Sequence, residues 1–413
     1  RGYLRQREPA RGKTLRLSLD LGLQRAGEAA IQRGIQAANS NGNPAGAGAF
    51  AALDPRTGEV LAMGSSPSFD PNVFAKPISR ARYSRLFGKS ANYPQINRAT
   101  QGAYPTGSTF KLITATAGLQ AGTITPDTVQ DDPGQVKIGN IVFHNAGNAV
   151  NGALSLRQAI QVSSDVFFYR LGAWTNSQAP LGGALQTWAR RFGIGRPTGV
   201  DLPGELGGNL PSPAWRAHRN ELELKCRKRH HDQPCGLGDL RPWSVGDNVN
   251  LAVGQGDLLA TPLQMAVAYG AMENGGRVVR PHVGQQVEDA AGTVLQRIEP
   301  PPARRISIAP QNRQAILDGL HLAASAPGGT SADVFQGFPL PVYGKTGTAQ
   351  HVGQADQSWY VCFVPDRVRP IVIAVTIEKG GFGAQAAAPA ARLMLSHWFH
   401  VKEEFVTGAS KTR

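Results

Sequence analysis

The 413-residue sequence predicts an α+β (α/β) fold: a five-stranded antiparallel sheet flanked by helices, with further helices gathered in an all-helical part. Three observations predict it. Residues 47–53 and 59–63 are short apolar runs joined by Asp54-Pro55-Arg56-Thr57-Gly58, where Pro then Gly supplies a turn, so a hairpin is expected. Residues 342–350, 359–364 and 371–378 are apolar, β-branched runs separated by turn residues, the pattern of an antiparallel meander. The strong periodic stretches between these groups are helical, so the two ends of the chain must meet to complete one sheet.

The elements follow in order. Residues 14–19 alternate Leu with polar residues and read as a short strand. Asp20 can cap a helix over 21–38 that ends in the polar 39–46 stretch. After the hairpin, 65–103 is loop-rich. Pro105-Thr106-Gly107 makes a turn before an apolar helix that carries Ser108 and Lys111 and runs to about Gln120. Residues 156–174 are strongly helical and carry Ser163 and Asp165, while 212–250 reads as irregular. Gly254-Gln255-Gly256-Asp257 is a tight turn, and Thr261-Pro262 opens a helix through Met272 with Pro at its tolerated first position. Residues 389–400 read as a closing helix.

Composition bounds the function. The hydrophobic fraction of 41% supports a sizeable core, and no repeat or low-complexity tract appears. The net charge of +14 is concentrated at 1–16 and 225–231, which suits a solvated surface, an anionic membrane surface or an anionic polymer. No zinc finger, RNP motif or heptad-plus-basic region accompanies it, so nucleic acid is not expected as a partner. No apolar run near 18 residues and no signal peptide is present; the chain opens at Arg1 and reads as a fragment that a membrane anchor could precede. Cys362 stands in an apolar run and is expected to bury as a small hydrophobe. Cys226, His230, His231 and Cys235 lie within ten residues of sequence. They admit a disulfide, a zinc clip or free thiols.

Three strings carry chemistry: Ser108-Thr109-Phe110-Lys111, Ser163-Ser164-Asp165 and Lys345-Thr346-Gly347-Thr348, reading S-x-x-K, S-x-[DN] and K-[ST]-G. Serine is a weak nucleophile and needs a base. On a helix Ser108 and Lys111 face one way, so Lys111 is the candidate base. The helix N-terminus favours a developing oxyanion at Ser108. Burial and a second cation, Lys345, would keep Lys111 partly neutral. Ser163 can relay protons, and Asp165 can hold Lys111 or a substrate amide. Gly347 would let a substrate backbone lie close, and Lys345, Thr346 and Thr348 could bind a carboxylate. Each string alone fits an ordinary helix, cap or strand; their order and placement together do not.

With these strings the chain resembles the transpeptidase domain of a class B penicillin-binding protein, over about residues 17–402. Supporting strings are Ala52–Met63, Tyr104–Lys111, Gly254–Met265 and Gly344–Ala349. Ser163–Tyr169 resembles the elongation group, penicillin-binding protein 2, more than the division group. The resemblance implies the penicillin-binding/β-lactamase-like fold, preceded by a basic linker (1–16) and followed by a C-terminal tail (403–413). It implies a D,D-transpeptidase of peptidoglycan stem peptides, acylated by β-lactams, with the amides of Ser108 and Thr348 as oxyanion hole. It implies an extracytoplasmic site on the inner membrane, a membrane glycosyltransferase partner bound through an N-terminal region, and no cofactor. Some elongation-type relatives hold zinc before the second motif; His144 and aspartates occur there, without cysteine. A β-lactamase, a D,D-carboxypeptidase or a β-lactam-acylated sensor stays open beside this reading.

Overall fold

The computed structural model describes residues 12–300, 303–351 and 353–409; most of the basic linker and the last residues of the tail lie outside these. The predicted sheet is present. Its strands are β1 (Ala47–Leu53), β2 (Val60–Ser66), β3 (Tyr343–His351), β4 (Gln354–Val364) and β5 (Ile371–Glu378). They lie in the order β3-β4-β5-β1-β2, antiparallel throughout. The chain ends meet at β5 and β1, where Val372 pairs with Leu53 and Glu378 with Ala47.

Both faces of the sheet are covered, which is why its strands read as continuous apolar runs. The helices that shape the molecule are α1 (Leu21–Ser40), α2 (Lys111–Gln120), α3 (Leu156–Val162), α4 (Asp165–Trp174), α5 (Pro213–Arg229), α6 (Pro262–Glu273), α7 (Pro310–Ser325) and α8 (Ala387–Trp398). Phe50, Ala52, Tyr360, Cys362, Ile373 and Val375 point to a core shared with α1 and α8. Their neighbours Ala51, Leu53, Val361, Phe363, Val372 and Ala374 point to the other face, toward α6 and the helical part. Alternate residues of each strand thus feed two cores. Helix α6 is buried from Pro262 to Met272, between sheet and bundle. Each large apolar side chain on it contributes about 1.5–3 kcal/mol of burial.

The expected caps are in place. Asp20 accepts from the Leu23 amide at 2.7 Å, and Thr261 and Gln264 close a capping box on α6. Cys362 is buried, and burial pushes its thiol well above the usual range. After residue 402 the chain folds back: Glu404 pairs with Arg392, and the Arg33 guanidinium lies over the Phe405 ring.

Three stretches differ from expectation. Residues 156–174 are two helices, because Ser163 is left-handed (φ 62°, ψ 38°) and ends α3 while Ser164 caps α4. The 212–250 region is not irregular. Ser212 accepts from the Trp215 amide, and Pro213 starts the 17-residue α5; only Arg216 and Glu223 of this helix are buried, so it shows no apolar stripe to read. The strand expected at 14–19 is present as Thr14–Leu17 and pairs with Gly284–Glu288 in a separate small sheet. Within the loop-rich 65–103 lies a helix, Arg80–Phe87, whose Tyr83 and Phe87 join an aromatic cluster with Phe69 and Phe74.

The cysteine loop is resolved in favour of a disulfide. Cys226 and Cys235 are bonded, with Cα atoms 6.2 Å apart. The zinc clip is corrected: the bond consumes both sulfur ligands, and His230 and His231 are exposed. The loop is fastened by Glu223, which accepts from the amides of Cys235 and Leu237 and pairs with Arg227.

Candidate active site

The first motif is placed by its backbone. Tyr104 pairs with Ala260, and the Gly107 amide donates to the Gly254 carbonyl at 2.9 Å. Gly107 is left-handed (φ +54°), and a Cβ on it would lie 2.7 Å from the Thr348 carbonyl oxygen, so only glycine fits this turn against β3. A 3₁₀ turn, Gly107–Phe110, then leads into α2, leaving Ser108 at the N-terminal end and Lys111 as the first α-helical residue. The turn is clamped by Trp359, whose indole donates to the Pro105 carbonyl, and by Tyr269, whose hydroxyl donates to the Thr109 carbonyl, both at 2.9 Å.

Lys111 is fully buried, and its amine meets the second motif. Nζ donates to the Ser163 carbonyl at 2.7 Å, the Ser163 hydroxyl at 3.2 Å and Asp165 Oδ1 at 2.7 Å. The left-handed turn at Ser163 lets one residue offer both its carbonyl and its hydroxyl to one amine. Such a conformation costs a non-glycine residue about 1–2 kcal/mol. Burial lowers the Lys111 pKa; Asp165 opposes this by charge and hydrogen bond.

Behind this turn stands Asp132, which no motif identifies. Its carboxylate accepts from the Ser164 hydroxyl at 2.6 Å, from Asn145 at 2.8 and 2.9 Å, from Asn151 at 2.7 Å and from the Gly134 amide at 3.0 Å. Burial works against its charge, but these bonds win and hold the carboxyl below the usual range. Asn145 in turn accepts from the Val166 amide at the start of α4. Its partners come from separate loops, so sequence spacing gives no signal for it. The Asp132 oxygens are engaged by amides and a hydroxyl, and no group of three His, Cys, Asp or Glu that could hold a metal occurs among the described residues.

The third motif lies on β3, the outer strand of the sheet. Thr346 and Thr348 line a cavity of about 950 Å³ together with Ser108, Ser163, Asp165 and Asn250. The Thr346 hydroxyl donates to that of Thr330 at 2.8 Å. Lys345 is fully buried and donates to the Thr346 carbonyl at 3.2 Å. Burial, and then the charge of Lys111, push its pKa well below the ordinary lysine range. Gly347 packs closely against the first motif. A Cβ there would lie 2.6 Å from the Thr106 carbonyl oxygen, 2.9 Å from Trp359 Cβ and 3.0 Å from Thr109 Cγ2. The close neighbour is the first motif itself, so this glycine lets the strand dock on the serine turn.

The three strings therefore converge on one cleft. It offers a hydroxyl at a helix start, an amine buried behind it, a second hydroxyl on that amine, and a strand edge with two threonines. Asp356 lies on β4 and lines the cleft.

Comparisons with known proteins agree with this geometry. The family model of the penicillin binding protein transpeptidase domain matches residues 48–396. Peptidoglycan D,D-transpeptidase MrdA of Haemophilus influenzae is 32% identical over 416 residues, covering 96% of this chain and 58% of that protein. The chain thus spans little more than half of that relative's length. Pseudomonas aeruginosa PBP2, solved in complex with WCK 5153, superposes with a TM-score of 0.77 at 32% identity, covering 97% of this chain and 82% of that one. A chain of a peptidoglycan synthase complex of polymerization and crosslinking gives 0.80 at 33%, covering 96% and 64%. The chain belongs to the penicillin-binding protein transpeptidase family.

Proposed function

We propose that the protein is a serine D,D-transpeptidase that cross-links peptidoglycan stem peptides and is acylated by β-lactams. The observation that carries this reading is the Lys111 amine, buried one helical turn from Ser108 and bonded to Ser163 and Asp165 at the wall of the cleft.

In this reading the neutral Lys111 amine takes the Ser108 proton as Oγ attacks the carbonyl carbon of the penultimate D-Ala. The C–O bond forms and the C–N bond breaks. The proton passes through the Ser163 hydroxyl to the departing amine of the terminal D-Ala. The amine of a second stem peptide then attacks the ester, a new amide forms, and Oγ leaves with the proton returned through Lys111. The amides of Ser108 and Thr348 receive the oxyanion in both steps; the Gly107–Thr348 contact supports that role. Thr346 and Thr348 receive the terminal carboxylate, with the Lys345 amine held behind them, and Gly347 keeps strand and serine turn together. Residues 17–402 are the catalytic unit, with 1–16 a linker and the segment from 403 a tail.

Relatives named MrdA and PBP2 support a role in cell-wall elongation and shape. Its substrate lies outside the inner membrane, and a disulfide suits that oxidising compartment. The likeness to a peptidoglycan synthase complex supports a membrane glycosyltransferase as partner of the whole protein. The test is a fluorescent penicillin followed by peptide mapping of the adduct. The label is expected on Ser108, to persist for many minutes, and to vanish in Ser108→Ala. An adduct on another residue overturns the assignment, and turnover within seconds makes the protein a hydrolase.

A further inference from the structure

We propose that this chain carries a second binding site, for a phosphoryl group, in a pocket walled by Arg196, Arg280 and Arg304 and separate from the catalytic cleft. It does not depend on the transpeptidase reading. The pocket has a volume of about 260 Å³, against the roughly 30 Å³ that one water takes up in the liquid. None of its lining residues lines the cleft. Its apolar lining includes Val267 of α6 and Val278, both buried. Its three charged side chains are all guanidinium groups, and among the described residues no acid lines it.

The fold places each arginine without neutralising it. Arg280 Nε donates to the Gly199 carbonyl. Gly199 is left-handed (φ +82°), and a Cβ on it would lie 2.9 Å from that nitrogen, so glycine lets the guanidinium lie against the loop. This bond uses Nε and leaves the terminal nitrogens of Arg280 for a ligand. The Arg196 carbonyl accepts from the buried Gln264 amide at 2.8 Å, which fixes the backbone of its loop. Arg304 stands opposite Val278 in a two-stranded ribbon of Arg277–Val278 with Arg304–Arg305. The guanidinium groups of Arg196 and Arg304 have no ion pair or hydrogen bond among the described residues. Nearby acids are engaged elsewhere. Glu205 accepts from the Thr198 amide and hydroxyl and from the Gly199 amide, and Asp201 accepts from the amides of Val283 and Gly284. Burial, and then the charge of Arg196, lower the Arg304 pKa, so the two cations repel across the pocket. A bound anion relieves that repulsion. One arginine fork satisfies the two oxygens of a carboxylate, whereas a phosphoryl group presents three oxygens and can engage several forks at once. Three forks around one pocket therefore suit a phosphomonoester or a diphosphate.

The experiment measures binding of inorganic diphosphate to the 413-residue protein by titration calorimetry at low salt, with acetate as the control anion. A second arm measures binding to phosphatidylcholine vesicles with and without phosphatidylglycerol. Diphosphate is expected to bind, and acetate to bind at least about tenfold more weakly. Arg196→Gln and Arg304→Gln are each expected to weaken binding about tenfold, the scale of one charge-assisted hydrogen bond. Arg305→Gln removes an equal charge from the other face of the ribbon, outside the pocket, and is expected to change binding by less than about twofold. All these side chains are at the surface, so the variants are expected to melt within about two degrees of the unmodified protein. Diphosphate binding without vesicle binding assigns a soluble phosphorylated ligand. Vesicle binding that needs phosphatidylglycerol and is lost in Arg304→Gln assigns a lipid headgroup. Unmodified protein that binds neither probe overturns the site without any variant being needed. Acetate as tight as diphosphate overturns it too, as does Arg305→Gln weakening binding as much as Arg304→Gln, because either result reduces the pocket to general surface charge. Binding to either probe that survives in both Arg196→Gln and Arg304→Gln places the anion elsewhere and sinks the proposal.

Discussion

Lys111 holds the residue-scale argument. Its three hydrogen-bond acceptors all belong to the second motif, and its burial favours the neutral amine that a base requires. Asp165 works against that neutrality, since its charge favours the ammonium. The sign of a substitution follows. Asp165→Asn removes the opposing charge, so the Lys111 amine becomes neutral from a lower pH. The ascending limb of penicillin acylation, already below the ordinary lysine value of 10.5, is expected to move further toward acid, with a lower plateau because the amine loses an anchor. A limb that stays put or moves toward alkali removes Lys111 as the titrating base. All three residues are readable in the sequence, because reactive side chains at fixed spacings leave a pattern. Asp132 is not: it touches no substrate cavity, and its partners are gathered by folding from four places along the chain.

Elements decide whether those side chains meet. The strand β3 is docked on the serine turn through Gly347, where no room for a methyl group exists. Gly347→Ala is expected to push the strand from Thr106 and slow penicillin acylation by about 100-fold or more, the scale of a misplaced catalytic contact. A variant that acylates at the normal rate would show that the strand can shift without consequence. At the far end of α6, Glu273 is raised to about 7, first by burial and also by Asp54, with Arg313 and Arg56 opposing. Its folded pKa lies above that of the unfolded chain, so the folded state holds the proton more tightly. Stability is therefore lost as pH rises from about 4.5 through about 7. Glu273→Gln should raise the melting temperature by a few degrees at about pH 8 and change little at about pH 5. Equal shifts at both pH values contradict a titrating origin.

At the scale of the whole molecule, the sheet is closed by its first and last thirds, and the cleft lies where its outer strand meets the helical part. The disulfide loop lies outside that cleft and is expected to matter for stability alone. Its cysteines are nine residues apart, so closing the loop restricts the unfolded chain by roughly 2–3 kcal/mol. Cys226→Ser with Cys235→Ser should lower the melting temperature and leave the rate of penicillin acylation within about twofold, since neither residue lines the cavity. Alkylation of both thiols without prior reduction would show that the bond does not form.

The five strands, the serine helix and the three motifs were legible because each is written locally: apolar runs bounded by turn residues, a turn before a helix, reactive residues a few positions apart. Local pattern could not reveal the break at Ser163, which exists because one residue must turn both its carbonyl and its hydroxyl to Lys111. Nor could it reveal α5, whose surface position leaves no apolar stripe. The choice between disulfide and zinc depended on how the loop folds. Residue types and order determined the chemistry available to this chain. Tertiary structure alone decided which groups lose water, which charges face one another, and that Gly347 packs against the serine turn, because burial and distance are properties of segments brought together from opposite ends of the sequence.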